Sequence, residues 1–271
     1  MIELADNSIL PGIGVTEITG WMTAFFFLSL RIGAFILASP GFGGRFVPLP
    51  VRIVATMVLA VALVGRVETP SFTSLADLSA LTLIMNELML GLAAGLVMMI
   101  LFGAAQLAGD RIANTAGLGF AAQFDPTAGG QTPVLAQLFA LLLLMIYIGT
   151  DSHLAAFRIV FDSYETIPLG TLVSPARYLW AGIEAGGALF ILGMKVMLPV
   201  VAMLLLLNVT IGVITRSAPQ LNIFSFGFPL TMTATFILLY LTVPGAARAL
   251  EALVFEALDL VVALFTEAAN G

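Results

Sequence analysis

The chain has no cysteine and a single histidine, His153, among its 271 residues. Without cysteine there is no disulfide, no thiolate nucleophile, no iron–sulfur cluster and no Cys-ligated zinc, and the redox state of the compartment leaves no mark on the sequence. One histidine also excludes any site that needs two. Charge is the next scarcity. Asp, Glu, Lys and Arg make up 10% of the chain, where a soluble domain has roughly 25%. Ten basic residues face sixteen acidic ones, for a net charge of −6 and a pI near 4.6; that balance argues against a phosphate-binding surface and therefore against nucleic acid. Enzyme signatures are missing as well: there is no nucleophile elbow, P-loop, HExxH or dinucleotide-binding glycine fingerprint. No catalytic residue, metal site or cofactor is expected.

What is present is apolar. Hydrophobic residues make up 60% of the chain and the mean hydropathy is +1.10, the composition of an integral membrane protein. Residues 1–20 contain Glu3, Asp6 and Glu17 but no Lys or Arg. They lack the positive n-region of a cleaved signal peptide, so the first apolar segment is expected to stay in the mature chain.

Apolar stretches run over residues 18–39, 51–65, 78–109, 133–149, 179–215 and 222–243. A bilayer core takes about 20 residues of helix, so the second stretch is short and the fifth too long for a plain span. Pro199 lies mid-way in the fifth and removes a backbone hydrogen bond, so a bend or two helices are expected there. On a six-span reading Arg45, Arg52, Arg111 and Arg216 fall on one side and Arg66, Arg158, Arg177 and Arg248 on the other. This tie gives no orientation by the positive-inside rule and points to an unusual topology.

Four charges sit inside apolar stretches: Arg31, Glu87, Glu184 and Lys195. Each costs about 2.5–3.5 kcal/mol at a helix centre, so each should face protein or water. They mark either a polar conduit or a subunit contact, unless Arg31 and Lys195 snorkel to an interface. The pairs Gly91/Gly95 and Gly182/Gly186, with Gly103 further along, have the four-residue spacing that lets membrane helices approach closely.

Hydropathy collapses over residues 104–133, AAQLAGDRIANTAGLGFAAQFDPTAGGQTP. A connection longer than about 12–15 residues is usually functional or disordered, and Phe120 and Phe124 among Gly117, Gly119, Gly129 and Gly130 are too aromatic for a plain linker. The alternatives are a constriction element lying in a cavity and a membrane-surface loop. Residues 216–229, RSAPQLNIFSFGFP, form a second Pro-bounded break, readable as an interfacial aromatic belt. Pro40, Pro48 and Pro50 make residues 39–52 an irregular connection. His153, beside Asp151, reads as a surface histidine in a loop. Asn208-Val209-Thr210 fits the glycosylation pattern but lies deep in an apolar run, so it is not a glycosylation site. Glu251, Glu256 and Asp259 alternate with apolar residues at helical spacing, as in an amphipathic helix with an acidic face.

Several ordered motifs resemble the FliR family, the R component of bacterial type III export gates. They are LRIGAFILASPGFGGRFVPLPVR with Arg31, Pro40 and Pro48, then GAAQLAGDRIANTAGLGFAAQFDP, TPVLAQL, SHL, IPLG and, most specific, NVTIGVITRSAPQLNIFSFGFPLT over residues 208–231. The resemblance implies an all-α membrane fold of kinked helical hairpins, a P-like portion over about residues 1–177 and a C-terminal portion over about 178–271 that includes a Q-like hairpin. It implies a shell with FliP and FliQ around a protein-conducting channel in the bacterial inner membrane and the flagellar basal body. FlhA and the switch subunit FlhB would work alongside, and unfolded flagellar proteins would be the substrates.

It also implies a plug loop over about residues 106–123, with Gln106, Gly109, Asp110, Arg111, Asn114, Gly117, Gly119, Phe120 and Gln123 as its marked positions. Phe120 is the apolar stopper of this reading, and Gly117 and Gly119 give it freedom in φ and ψ. Arg31, Pro40, Pro48, Glu87, Arg216, Pro219, Gln220, Phe224, Gly227 and Pro229 are the expected structural or subunit-contact residues. Two alternatives stay open: the equivalent subunit of a virulence-type export gate, which shares this architecture, and a stand-alone secondary transporter using Glu87, Glu184 and Lys195 as a relay.

Overall fold

The computed structural model describes residues 8–10, 13–44, 47–67, 79–118, 134–218, 220 and 226–269. Apart from a two-stranded hairpin, β1 (Ser8–Leu10) with β2 (Ile13–Gly14), its regular structure is helical. The helices are α1 (Val15–Ala38), α2 (Leu49–Leu63), α3 (Ser79–Thr115), α4 (Val134–Gly149), α5 (Ser152–Thr166), α6 (Pro175–Ser217) and α7 (Phe228–Ala269). The chain is an all-α membrane protein. Among the described residues α1, α3 and α6 are long and apolar enough to cross a membrane, and α4 with α5 qualify together as one broken span.

Local chemistry sets most helix ends. Pro48 precedes α2 and Pro50 sits in its first turn, where the missing N–H has no intrahelical partner to lose. Asp151 interrupts α4 and α5 at φ 56°, a left-handed conformation that Asp tolerates better than most residues. Pro168 follows α5, Pro175 opens α6, and both fit proline's place outside or at the first turn of a helix.

Two expectations about the spans change. Of the bend or two helices expected over residues 179–215, the split does not occur: residues 175–217 form one helix with Pro199 inside it. The proline ring removes one backbone bond, and the remaining run of good helix formers on both sides carries the helix past it. The polar segment from residue 104 is also not a loop from its start, because α3 continues through Thr115. Ala104, Ala105, Ala108, Ile112 and Ala113 are buried and keep the helical spacing of an inward face after the mean hydropathy has dropped.

The chain divides into two compact units. The first comprises Met1–Met99, Leu154–Ile183 and Leu258–Gly271, and the second Ile100–His153 and Glu184–Ala257. In the first, Phe27, Leu28, Ile32, Phe35 and Ile36 of α1 are buried together with Leu90, Ala94 and Met98 of α3. Gly91 and Gly95 make that helix pair close. A Cβ on Gly95 would stand 2.7 Å from the Ala38 Cβ and 2.9 Å from the Phe35 carbonyl oxygen, and one on Gly91 would meet the Arg31 carbonyl and Ala34. Phe157 of α5 closes the other side, edge-on to Phe35 at 5.6 Å and Phe42 at 5.3 Å.

In the second unit Gly109 lies against the α4 backbone, where a Cβ would come within 2.7 Å of the Ala136 Cα, and Gly193 lies against Ala104 of α3. A Cβ on Gly103 would stand 3.2 Å from Leu189 of α6. Gly182 and Gly186 share the four-residue spacing but face open space. Spacing alone therefore identified one close helix contact and one pair that touches nothing among the described residues.

Candidate functional site

Two polar centres stand out, one in each unit. In the first unit the centre is built on Arg31 and Glu87, 0% and 1% exposed. The pair is bidentate: the Arg31 Nε donates to Glu87 Oε2 at 2.7 Å and Nη2 donates to Oε1 at 3.1 Å. Nη1 donates to the Ser163 carbonyl at 3.1 Å and to its hydroxyl at 3.0 Å, and Nη2 donates also to the Ile167 carbonyl at 3.1 Å. A guanidinium has five N–H donors, and these contacts occupy all of them. The cation also lies 4.2 Å from the centre of the Tyr164 ring, whose hydroxyl donates to the Leu28 carbonyl.

Arg31 thus binds at the C-terminal end of α5, where the Ser163 carbonyl also accepts from the Ile167 N–H at 2.8 Å and where a cation is favoured by the helix dipole. Asn86, one residue before Glu87, performs a parallel task. Its amide nitrogen donates to the Thr171 carbonyl at 2.8 Å, and its carbonyl oxygen accepts from the Val173 N–H and the Tyr178 hydroxyl. Asn86 and Glu87 thus tie residues 163–178 to α3. A charge so fully engaged holds helices together and has no free position for a passing ion.

The second centre is the C-terminal end of α3. Gln106, Asp110 and Asn114 repeat every four residues and so share one face. Gln106 and Asn114 are exposed, Asp110 is half-buried, and Arg111 is exposed beside them. Asn114 donates to Asp110 Oδ2 at 3.0 Å. The opposite side carries the buried Ala105, Ala108 and Ile112, and the buried Ala113 borders the stripe. The result is a polar stripe on a helix that is otherwise apolar.

That helix ends on a closed account of its carbonyls. The Gly117 N–H bonds to the Asn114 carbonyl and the Leu118 N–H to the Ala113 carbonyl, with Gly117 at φ 81°. This paired arrangement satisfies the last turn and needs a left-handed residue at the position glycine occupies. The Ala116 N–H takes the Ile112 carbonyl. The next two carbonyls are met from outside the helix: Asn208 of α6 donates to Thr115 at 3.0 Å, and the Thr231 hydroxyl of α7 lies 3.4 Å from the Ala116 oxygen. Gln106, Gly109, Asp110, Arg111 and Asn114 are therefore helical, and Gly117 is in the capping turn. Gly119, Phe120 and Gln123 lie outside the described residues, as do Phe124, Gly129 and Gly130.

The other expected positions are dispersed. Pro40 is buried in the turn after α1, while Pro48 is exposed ahead of α2. Arg216 is exposed in the last turn of α6, Gln220 is exposed after it, Gly227 is buried and Pro229 is exposed at the start of α7. Pro219 and Phe224 lie outside the described residues. Glu184 and Lys195 are exposed on α6, about 16 Å apart along the helix from their eleven-residue separation, and form no ion pair among the described residues.

Glu87 is paired with Arg31, which takes one of the three expected relay residues out of use. His153 is not in a loop: it lies in the first turn of α5, half-buried, with its ring 6.2 Å from Tyr147 and, among the described residues, no hydrogen-bond partner for Nδ1. Glu251, Glu256 and Asp259 do form the exposed side of α7, opposite Leu250, Leu253, Val254, Ala257 and Leu258.

The sequence reading passed over Asn86, Ser163, Tyr164, Asn208 and Thr231 as site residues. Asn86 and Asn208 carried a usable signal, since a carboxamide within an apolar membrane helix must find a partner. Ser163 and Tyr164 lie in a helix of ordinary polarity and carried none.

Bacterial export proteins, family 1, match the chain over residues 22–257. The chain is 32% identical to the flagellar biosynthetic protein FliR of Pectobacterium carotovorum over 251 residues, covering 93% of this chain and 96% of that one. It is 31% identical to FliR of Escherichia coli over 250 residues, covering 91% and 94%. For FliR of Bacillus subtilis the identity is 29% over 219 residues, covering 80% and 84%.

Proposed function

The chain belongs to the bacterial export proteins, family 1, and on that premise we propose that it is the R-type subunit of the flagellar type III export gate in the bacterial inner membrane. It assembles there with FliP and FliQ around the channel that passes unfolded flagellar proteins, with FlhA and FlhB as neighbouring export components, at the flagellar basal body. Its own contribution is a gate segment over about residues 106–123 that helps to close the channel before export begins. It supplies no chemistry: the energy comes from partner proteins and the proton gradient.

The observation that carries this reading is the polar stripe of Gln106, Asp110 and Asn114 on a helix whose other face is packed. A water-filled path accepts such a stripe, and lipid does not. The short α2, and α3, α6 and α7 of 37, 43 and 42 residues, are poor matches to a core about 30 Å thick. Much of the exposed apolar surface of α6 and α7 is then covered by sister subunits. The stand-alone transporter reading loses its central residue because Glu87 has its charge and hydrogen bonds taken up by Arg31.

The test removes residues 117–123 and leaves the packed part of α3 intact. Cells carrying the full export apparatus with this deletion should leak ions and small solutes while the chain still assembles. A membrane as tight as that of the unaltered strain would overturn the gate assignment. Failure to co-purify with FliP-type and FliQ-type chains in mild detergent would overturn the assembly.

A further inference from the structure

Glu184 and Lys195 are the two charges of the apolar stretches that the fold does not absorb. They stand eleven residues apart on α6, and eleven steps of about 100° bring a helix back to within about 20° of the same direction. Both therefore lie on one side, about 16 Å apart along the axis. Both are exposed and form no ion pair among the described residues. Ile191, Leu198, Leu206 and Val209 share that side and are 59%, 53%, 64% and 66% exposed, whereas Val196, Val200, Leu204 and Ile211, round the helix from them, are buried. An acid, a base and a row of apolar side chains face outward together.

Neither lipid nor water suits this side of α6. Residues 196–215 hold no Asp, Glu, Lys or Arg, so one placement in the bilayer sets Lys195 at the lipid edge, where it snorkels. That placement leaves the exposed Phe190, Ile191 and Met194 outside the core. A placement that sinks those side chains carries Lys195 into the core, at about 2.5–3.5 kcal/mol. A protein surface with a carboxylate at the level of Lys195 removes both conflicts. The α6 helix of a second copy does not offer that surface. Copies inserted the same way bring α6 together in parallel, with Lys195 facing Lys195 and Glu184 facing Glu184. Pairing opposite charges instead needs a stagger of about 16 Å, half of a core about 30 Å thick.

We infer that this side of α6 is the docking face for a membrane helix of a different chain, one that carries a carboxylate at the level of Lys195 and a basic group at the level of Glu184. The two opposed pairs fix the register of the helices along their axes, and the like-charge clash turns away a second copy. The inference rests on the assembly reading given above and names the chemistry that holds one partner.

The test places the photocrosslinking amino acid benzoylphenylalanine at Ile191, one turn from Lys195, in cells carrying the full export apparatus. Irradiation should join α6 to a membrane segment of another chain that contains Asp or Glu. Lys195→Glu in the same background turns an opposed pair into a like pair and should lower the adduct yield about ten-fold. Lys195→Arg, which retains the charge, should keep most of it. Changing the carboxylate of the crosslinked segment to Lys should restore the yield in the Lys195→Glu chain.

Chain levels in the membrane are read alongside; if Lys195→Glu lowers them, Lys195→Met carries the comparison, with a smaller loss of adduct. An adduct with a second copy or with lipid alone, a crosslinked segment without Asp or Glu, or an equal yield in Lys195→Glu and the unaltered chain would overturn the docking face. So would an absent adduct in a chain that still co-purifies with FliP-type and FliQ-type chains, a result that leaves the assembly reading standing. A charge-dependent adduct with a chain outside that assembly keeps the docking face and counts against the assembly.

Discussion

α3 carries polar residues at both ends of its length, and the structure treats them in opposite ways. Toward its start, Asn86 and Glu87 are buried and every polar atom they offer is engaged. Toward its finish, Gln106 and Asn114 are exposed, Asp110 is half-buried, and among the described residues the side-chain bond along the stripe is from Asn114 to Asp110. Both sets are costly in a membrane helix, and the sequence shows them alike. The first set has been desolvated and paired, which makes it a fastener. The second has been left in want of water, which is what a channel supplies. Burial with saturation against exposure with little bonding separates a polar group spent on packing from one left unspent here, and neither hydropathy nor residue type does.

The contrast is most easily broken at Glu87. Glu87→Leu leaves the Arg31 guanidinium buried and unpaired and should cost about 3–5 kcal/mol, seen as loss of folded chain from the membrane or as a large drop in melting temperature in detergent. Replacing both partners, Arg31→Met with Glu87→Leu, should recover much of that loss, because no charge is then stranded. If the single and double variants were equally unstable, the pair would not be a fastener.

Close packing offers the next test. Gly95→Leu drives side-chain atoms into the Phe35 carbonyl and Ala38 and should destabilise the first unit by about 1–3 kcal/mol. Gly186→Leu meets open space and should leave the melting temperature of the purified chain unchanged. Equal effects of the two would remove the distinction between the glycine pairs.

At the other end of α3 the effect on stability should be small and the effect on function large. Asp110→Ala with Asn114→Ala removes one exposed hydrogen bond, a loss of under about 1 kcal/mol, yet it takes away two of the stripe's three polar residues and should slow flagellar export measured as secreted flagellin. Normal export would sink the conduit reading of the stripe. Least of all should change with Arg177→Ala, which deletes the partly exposed ion pair with Glu267 at 3.1 Å. Such pairs contribute about 0–1 kcal/mol, and a melting shift comparable to that of Glu87→Leu would contradict the burial argument.

Much of this was legible beforehand. Arg31 and Glu87 were visible as charges that lipid would reject, the Gly91/Gly95 spacing marked a true contact, and the motifs ending in GFP identified the family that the full-length comparison then showed. Other features were misread for definite reasons. Hydropathy placed the end of α3 near residue 109, because averaging treats the polar stripe as a loss of helix, although apolar residues at helical spacing keep the opposite side packed through Ile112. Pro199 suggested a bend or two helices in the apolar run over residues 179–215, but one missing N–H was not enough to end the helix. Gly182 and Gly186 were indistinguishable from Gly91 and Gly95, since spacing records which residues share a face and not what that face meets.

The sequence by itself determined the solvent, the all-α class and the family: composition, 3.6-residue periodicity and ordered motifs are local or additive properties that any reader of the chain can sum. The tertiary structure alone decided which polar groups are spent and which are free. Arg31 meets Glu87 across 56 residues and Ser163 across 132, and Asn208 meets Thr115 across 93. Such pairings depend on how helices are brought together, a matter of three-dimensional packing that no local pattern in the chain encodes.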